Sequence, residues 1–103
     1  MDGLSATLEP ASPETVVIRL AGILDLATRE QMTAAVRAAL PAFRPDALIL
    51  DLDAVTLLDS AGLGALVGCW KLAAGAGCAL RVRNPRPLAH AQLEMTGLAE
   101  LFL

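Results

Sequence analysis

The stretch that begins at residue 47 constrains the fold more than any other part of the chain. Residues 47–52 form a short and nearly continuous apolar run, which is typical of a central strand covered on both faces. Apolar side chains then recur at helical spacing and indicate an amphipathic helix: Leu63, Leu66, Val67 and Trp70. Strands that alternate with such helices predict an α/β fold, with the helices packed against a sheet.

Two strands are predicted before the first helix. Residues 6–9 suit a short strand, and residues 15–21 are rich in β-branched side chains, which favour strands. Residues 22–25 are interpreted as a turn-like segment by which the chain leaves this second strand. The first helix is then predicted to start at Thr28, because Thr28 and Gln31 have the spacing of a capping box.

That helix is predicted to run to about Leu40. Its apolar stripe has helical spacing and comprises Met32, Ala35, Val36, Ala39 and Leu40. Pro41 and Pro45 follow and are expected to end it, since proline disrupts a helix interior.

The second half of the chain continues the alternation. Gly75 and Gly77 are expected to end the second helix, and residues 78–83 are predicted as a strand. A third helix is expected to begin near Asn84 or Pro85 and to end at Gly97. Residues 101–103 are interpreted as a last short strand. The predicted order is β-β-α-β-α-β-α-β in a single domain, residues 1–103.

Composition and charge exclude several classes of function. The net charge is −3 and aromatic residues make up 3% of the chain, so neither phosphate neutralisation nor base stacking is provided for, and no nucleic acid is expected as partner. Residues 60–80 are long and apolar enough to suggest a membrane span, but Lys71 lies at their centre, where insertion costs about 2.5–3.5 kcal/mol. No basic, apolar secretion signal is seen at the start of the chain. A soluble, cytoplasmic protein is expected.

The two cysteines are interpreted as small buried side chains. Cys69 and Cys78 are not spaced as a CxxC pair, and no second Cys/His pair completes a zinc site. No metal or cofactor is therefore expected.

Ser60 is the residue on which the functional argument depends, because it lies where a predicted strand gives way to a helix. Its hydroxyl could cap the helix. A catalytic serine would need a base and an orienting group, but His90 is the only histidine and the G-x-S-x-G elbow is absent. The chain is therefore not expected to be an enzyme. As a third alternative, an exposed serine at a helix N-terminus could carry a regulatory phosphate.

The glycines after Ser60 superficially resemble a dinucleotide-binding fingerprint. That motif needs its glycines in the strand-to-helix turn, whereas Gly64 and Gly68 fall within the helical pattern. They are interpreted instead as allowing close approach of the helix to a neighbour or to a partner's surface.

Five short motifs occur in order along the chain: Gly22-x-Leu24-Asp25, Leu50-Asp51-Leu52, Asp59-Ser60-x-Gly62-Leu63-Gly64, Asn84-Pro85 and Thr96-Gly97-Leu98. With them the sequence resembles the STAS domain, and within it the anti-sigma factor antagonists. This resemblance implies a mixed sheet with helices mainly on one face. It also implies that the unphosphorylated protein binds an anti-sigma factor, which is a serine kinase, and that sigma factor is then released. Phosphorylation would end this binding, and a serine phosphatase would restore it. ATP and magnesium belong to the kinase.

The resemblance also assigns residues. The phosphorylation site is Ser60. The partner surface is expected to consist of Asp25, Asp59, Ser60, Ala61, Gly62, Leu63 and Gly64. Ile23 stands where many members have Glu, and Ala61 where many have Ser or Thr, so Ser60 is the sole acceptor expected in the motif. Longer members continue into a further helix beyond the position of Leu103. Without that helix the apolar surface that it covers would be exposed, which suggests binding of a partner or a homodimer.

Two other functions remain open for such a domain. STAS domains also serve as subunits of lipid-transport ABC systems, where they bind the ATPase subunit, and as scaffolds of stress-signalling assemblies. In either case Ser60 would be a helix cap within a docking surface.

Overall fold

The computed structural model describes residues 3–103. Along the chain the elements are β1 (Leu4–Pro10), β2 (Thr15–Leu24), α1 (Arg29–Phe43), β3 (Ala47–Leu58), α2 (Ser60–Gly75), β4 (Ala79–Arg83), α3 (Pro87–Met95) and α4 (Ala99–Phe102). The predicted α/β class is confirmed, and the first seven elements follow the predicted order.

The four strands form one mixed sheet in the order β1-β2-β3-β4. β1 is antiparallel to β2, whereas β2, β3 and β4 run parallel to one another. The carboxyl ends of these three strands, and the loops that follow them, therefore lie at the same edge of the sheet.

The core lies between the sheet and the helices α1 and α2. One set of alternating strand side chains is buried there: Val16, Ile18, Leu20, Leu48, Leu50, Leu52, Leu80 and Val82. The helices contribute Met32 and Val36 from α1 and Leu66 from α2, all fully buried. Burying one such side chain contributes about 1.5–3 kcal/mol, so this layer holds the helices on the sheet.

The end of the chain differs from the sequence prediction. Residues 101–103, predicted as a strand, belong to α4 and its C-terminal cap. The Leu98 carbonyl accepts hydrogen bonds from the N–H groups of Leu101 and Phe102, which closes a helical turn. This turn places Phe102 in the core with no exposed surface, a burial that short-range sequence pattern does not reveal.

The second strand is longer than predicted. The turn-like exit expected at residues 22–25 is wrong, because β2 continues to Leu24 and pairs with the end of β3 across two register shifts. Gly22 has φ +115°, and a Cβ there would lie 2.1 Å from the Gly3 carbonyl oxygen, so glycine is required. β3 likewise runs unbroken to Leu58, which brings the ends of β2 and β3 side by side.

Two helix boundaries also differ. α1 continues through Pro41 to Phe43, because a proline in the last turn removes only one hydrogen bond, and it ends at Arg44, whose φ is +45°. α3 begins at Pro87 with Arg86 as its N-cap, and not at Asn84 or Pro85. Gly97, with φ +76°, follows the C-cap Thr96 as predicted.

The capping box predicted at the start of α1 is wrong. Thr28 is the N-cap, but its hydroxyl donates to the Ile23 carbonyl at 2.6 Å and makes no cap hydrogen bond. The Gln31 side chain donates to the Leu4 carbonyl at 3.3 Å, so both side chains fasten α1 to the sheet instead.

Both cysteines are free and buried, as expected, and burial raises the pKa of each thiol. Among residues 3–103, no helix has the length and apolar character that a bilayer crossing requires.

Candidate functional site

Ser60 lies at the edge of the sheet where the parallel strands end. It is the first residue of α2 and follows β3 after the single residue Asp59. Its side chain is exposed. The loop between β2 and α1, residues 25–28, lies at the same edge because β2 and β3 are parallel.

Asp59, and not Ser60, caps α2. The Asp59 backbone is extended and its Oδ1 accepts a hydrogen bond from the Gly62 N–H at 2.8 Å. An aspartate in this position satisfies one free N–H of the first helical turn and interacts favourably with the helix dipole. The hypothesis that Ser60 is the N-cap is therefore wrong, and its hydroxyl is not needed for that role.

Gly62 lets the start of α2 lie against the end of β2. A Cβ at Gly62 would lie 2.6 Å from the Leu24 carbonyl oxygen and 2.8 Å from Leu58 Cδ1. The same Leu24 carbonyl accepts a hydrogen bond from the Asp59 N–H at 3.2 Å. The glycine is buried, so it shapes the loop that carries Ser60 and adds little surface of its own.

Asp25 shapes the neighbouring loop in a similar way. Its Oδ1 accepts hydrogen bonds from the N–H groups of Ala27 and Thr28, both at 3.0 Å. Its backbone N–H donates to the Thr28 hydroxyl at 3.0 Å. The structure thus brings Asp25 and Asp59 to one edge of the sheet, where each carboxylate orders the loop after a parallel strand.

The remaining predicted site residues lie along α2. Ala61 and Leu63 are half-buried, while Gly64 is exposed. A Cβ at Gly64 or Gly68 would meet no atom within 4 Å, so these glycines do not serve close packing within the chain. They line an open groove of about 320 Å³ between α1 and α2, together with Arg29, Thr33 and other side chains. The interpretation as close approach to a neighbouring element of this chain is wrong.

Exposed leucines at the same edge were not anticipated from the sequence. Leu26 follows Asp25 and is 65% exposed, and Leu57 near the end of β3 is 47% exposed. Leu88 in α3 is 66% exposed and lines a small cleft with Leu57. Leucine is an apolar residue type that is usually buried in the core, and only the folded structure shows that these three side chains are exposed. Several exposed apolar side chains at one edge of a sheet are typical of an interaction surface.

Polar contacts fix α3 beside this edge. The Gln92 amide donates to the Leu58 carbonyl at 2.8 Å, and Arg86 Nε donates to the Asp53 carbonyl at 2.7 Å. Leu88, which lies between Arg86 and Gln92 in sequence, is therefore held near the end of β3.

Asp51 is the most buried carboxylate of residues 3–103, and it lies away from the Ser60 loop. Its Oδ2 is 2.8 Å from Arg83 Nη2 and 3.6 Å from Arg19 Nη1, and its Oδ1 accepts from the Asp53 N–H at 2.9 Å. Burial raises the pKa of Asp51, but the Asp53 N–H and the two guanidinium groups outweigh it and lower the pKa overall. The arrangement joins β2, β3 and β4 and is structural.

Comparison with known proteins gives a consistent family. The family model described as "Mlab, STAS domain" matches residues 8–103. An anti-sigma F factor antagonist of Lysinibacillus sphaericus is 36% identical over 92 residues, which cover 88% of this chain and 78% of that protein. One of Paenibacillus polymyxa is 29% identical over 86 residues, covering 84% and 74% respectively.

Solved structures agree with these relatives. The anti-sigma factor antagonist SpoIIAA in its unphosphorylated form is 27% identical, with a TM-score of 0.80 over 96% of this chain and 86% of that one. SpoIIAA of Bacillus in its phosphorylated form gives a TM-score of 0.73 at the same identity, over 96% and 89% of the two chains. An anti-sigma factor antagonist from Mycobacterium paratuberculosis, also 27% identical, gives 0.78 over 98% and 84%. With the family model covering nearly all of its length, this chain belongs to the STAS domain family.

Proposed function

We propose that this chain is an anti-sigma factor antagonist and that Ser60 is its switch. In its unphosphorylated form the protein binds an anti-sigma factor, so that sigma factor is released. The anti-sigma factor is also the serine kinase that phosphorylates Ser60, and a serine phosphatase removes the phosphate. The single STAS domain acts in the cytoplasm and by binding, not by catalysis.

The observation that carries this proposal is the exposure of Ser60 at the head of α2, with Asp59 as the cap. A kinase can reach the Ser60 hydroxyl without breaking a capping contact. The docking surface comprises residues of both loops and of α2: Asp25, Asp59, Ser60, Ala61, Leu63 and Gly64, with Gly62 holding the loop in shape. The exposed Leu26, Leu57 and Leu88 extend this surface with apolar anchors.

Phosphorylation is expected to change binding much more than folding. A phosphate adds a charge of about −1.5 to −2 at neutral pH. A helix N-terminus stabilises such a charge by only about 0.3–1 kcal/mol at an exposed site. An unpaired charge within a docking surface costs several kcal/mol through desolvation and repulsion, so the complex dissociates while the fold remains.

The test compares Ser60→Asp with Ser60→Ala in titration calorimetry against the cognate anti-sigma factor. Ser60→Asp is expected to bind at least about tenfold more weakly, which corresponds to about 1.4 kcal/mol. Ser60→Ala is expected to bind like the wild type and to be insensitive to the kinase. Equal affinities of the two variants would contradict the proposal.

The second candidate is a STAS subunit of a lipid-transport ABC system. The family model that matches is described as "Mlab, STAS domain", and this description does not name the antagonists. Membership of the family is therefore compatible with both candidates. Affinity purification from native cells separates them. Recovery of a small kinase supports the antagonist, whereas recovery of an ABC ATPase supports the transport subunit.

A further inference from the structure

Two contacts define how α1 lies along α2. At the edge of the sheet, the Asp59 N–H is bonded to the Leu24 carbonyl, so the chain entering α2 lies beside the end of β2. Farther along, Thr33 Oγ1 of α1 is 3.9 Å from Cys69 Sγ of α2. Thr33 is the fifth residue of α1 and Cys69 the tenth of α2, so the first turn of α1 runs beside the second turn of α2, near Gly64 and Ala65.

This alignment places Arg29 beside the second turn of α2, one helical turn beyond Ser60. Arg29 and Gly64 line the same groove between the two helices. Ser60 is four residues before Gly64, so both lie on one stripe of α2, about 6 Å apart along the helix axis. Gly64 has no side chain, and its missing Cβ leaves open space on that stripe. Position 64 therefore places no side chain between Ser60 and Arg29.

The charged residues around Ser60 favour the placement of an added anion close to Arg29. Arg29 is exposed, and none of the salt bridges within residues 3–103 involves it. The carboxylates nearby are Glu30 in the groove and Asp25 and Asp59 in the loops, and the last two already accept backbone N–H groups. A phosphate on Ser60 adds a charge of about −1.5 to −2 close to them, and Arg29 is a cation placed to compensate.

We propose that Arg29 binds the phosphate of phosphorylated Ser60 within the same chain. The guanidinium group donates two parallel hydrogen bonds to phosphate oxygens, a geometry that lysine does not match. The phosphoserine then bridges α1 and α2 and closes the head of the groove. Phosphorylation thus covers part of the docking surface as well as adding charge. This inference rests on the proposed function, because it requires Ser60 to be the phosphorylated residue.

The test is a ³¹P NMR titration of the whole protein with phosphoserine incorporated at position 60 during translation, so that no kinase is needed. The second pKa of the phosphate is expected to be lower in the wild type than in Arg29→Gln by about half a unit or more, because a nearby cation favours the dianion. The difference is expected to shrink in about 1 M salt, where charges are screened within about 3 Å. Arg37→Gln is the matched control, since Arg37 lines the same groove two turns farther from Ser60.

Equal phosphate pKa values in the wild type and Arg29→Gln would overturn the inference, and so would an equal rise in Arg37→Gln, which would indicate a general charge effect. Either result leaves the proposed switch intact, because that is tested by the binding of the Ser60 variants. Conversely, failure of those variants to differ in binding would remove the switch without changing the phosphate titration.

Discussion

The Asp59 carboxylate accepts a hydrogen bond from the Gly62 N–H at 2.8 Å, and this contact leaves the intervening Ser60 exposed at the start of α2. Adjacent residues thereby differ in their structural role. Asp59 caps the helix end, whereas the Ser60 side chain is exposed, as the proposed switch requires. The same aspartate joins α2 to β2 through its own N–H, so the position of Ser60 is fixed by the sheet.

The first prediction concerns this cap. Asp59→Ala is expected to lower the free energy of unfolding by about 0.5–2 kcal/mol, because an N–H of the first helical turn loses its partner. Ser60→Ala is expected to change it by no more than about 0.5 kcal/mol, as for surface substitutions generally. Urea unfolding followed by circular dichroism measures both. A cost for Ser60→Ala as large as that for Asp59→Ala would show that Ser60 contributes to the cap.

The second prediction compares two glycines of α2. Gly62→Ala is expected to destabilise the protein by about 1–3 kcal/mol, because its Cβ would lie 2.6 Å from the Leu24 backbone oxygen. Gly64→Ala is the matched control, since its Cβ meets open space and alanine favours a helix over glycine by about 1 kcal/mol. Chemical unfolding should therefore move in opposite directions for the two variants. A shift in the same direction would refute this account of Gly62.

The third prediction concerns the exposed leucines. Leu88→Ala is expected to weaken binding of the anti-sigma factor about tenfold if Leu88 anchors the partner, while the unfolding transition stays within about 0.5 kcal/mol of wild type. Met95→Ala is the control, because Met95 is even more exposed but lies at the far end of α3. Calorimetric titration of both variants checks this. Equal affinities for Leu88→Ala and wild type would exclude Leu88 from the interface.

The fourth prediction concerns acid stability. The pKa of Asp51 is lowered in the folded protein, because the Asp53 N–H and the Arg83 and Arg19 guanidinium groups outweigh the effect of burial. The ionised carboxylate is thus favoured by folding. Its contribution is present above the unfolded pKa of about 3.9 and is lost as the pH falls through the lower folded value.

Asp51→Asn cannot titrate and should therefore lose less stability than wild type between about pH 5 and the acid limit of folding. Denaturant unfolding at a series of pH values measures this slope. Glu94→Gln is a suitable control, because Glu94 is exposed and pairs with His90 on the exposed face of α3. Parallel curves for Asp51→Asn and wild type would show that Asp51 does not supply the acid dependence.

Much of the fold follows from short-range pattern. The apolar run at residues 47–52 and the helical spacing of Leu63, Leu66 and Val67 each reflect a local period, and both elements are present in the structure. Gly97 ends α3 as expected, because its positive φ is a local demand that glycine meets. The Ser60 motif and the family could likewise be identified from the order of a few residues.

What pattern could not settle depends on contacts between distant parts of the chain. Whether Asp59 or Ser60 caps α2 is decided by the approach of α2 to the Leu24 carbonyl, which Gly62 permits. Phe102 turns into the core where a strand was expected, because burial of its ring outweighs local preference.

The proposed docking surface also depends on contacts between distant parts of the chain. Leu26 and Leu88 are far apart in sequence, and their apolar residue type alone suggests that they are buried in the core. Parallel strands bring the segments that carry them to one edge, where none of the elements within residues 3–103 covers these side chains. Local sequence thus specifies the elements and the serine proposed as the switch, whereas long-range packing specifies which groups remain exposed around it, since exposure is a property of the assembled chain.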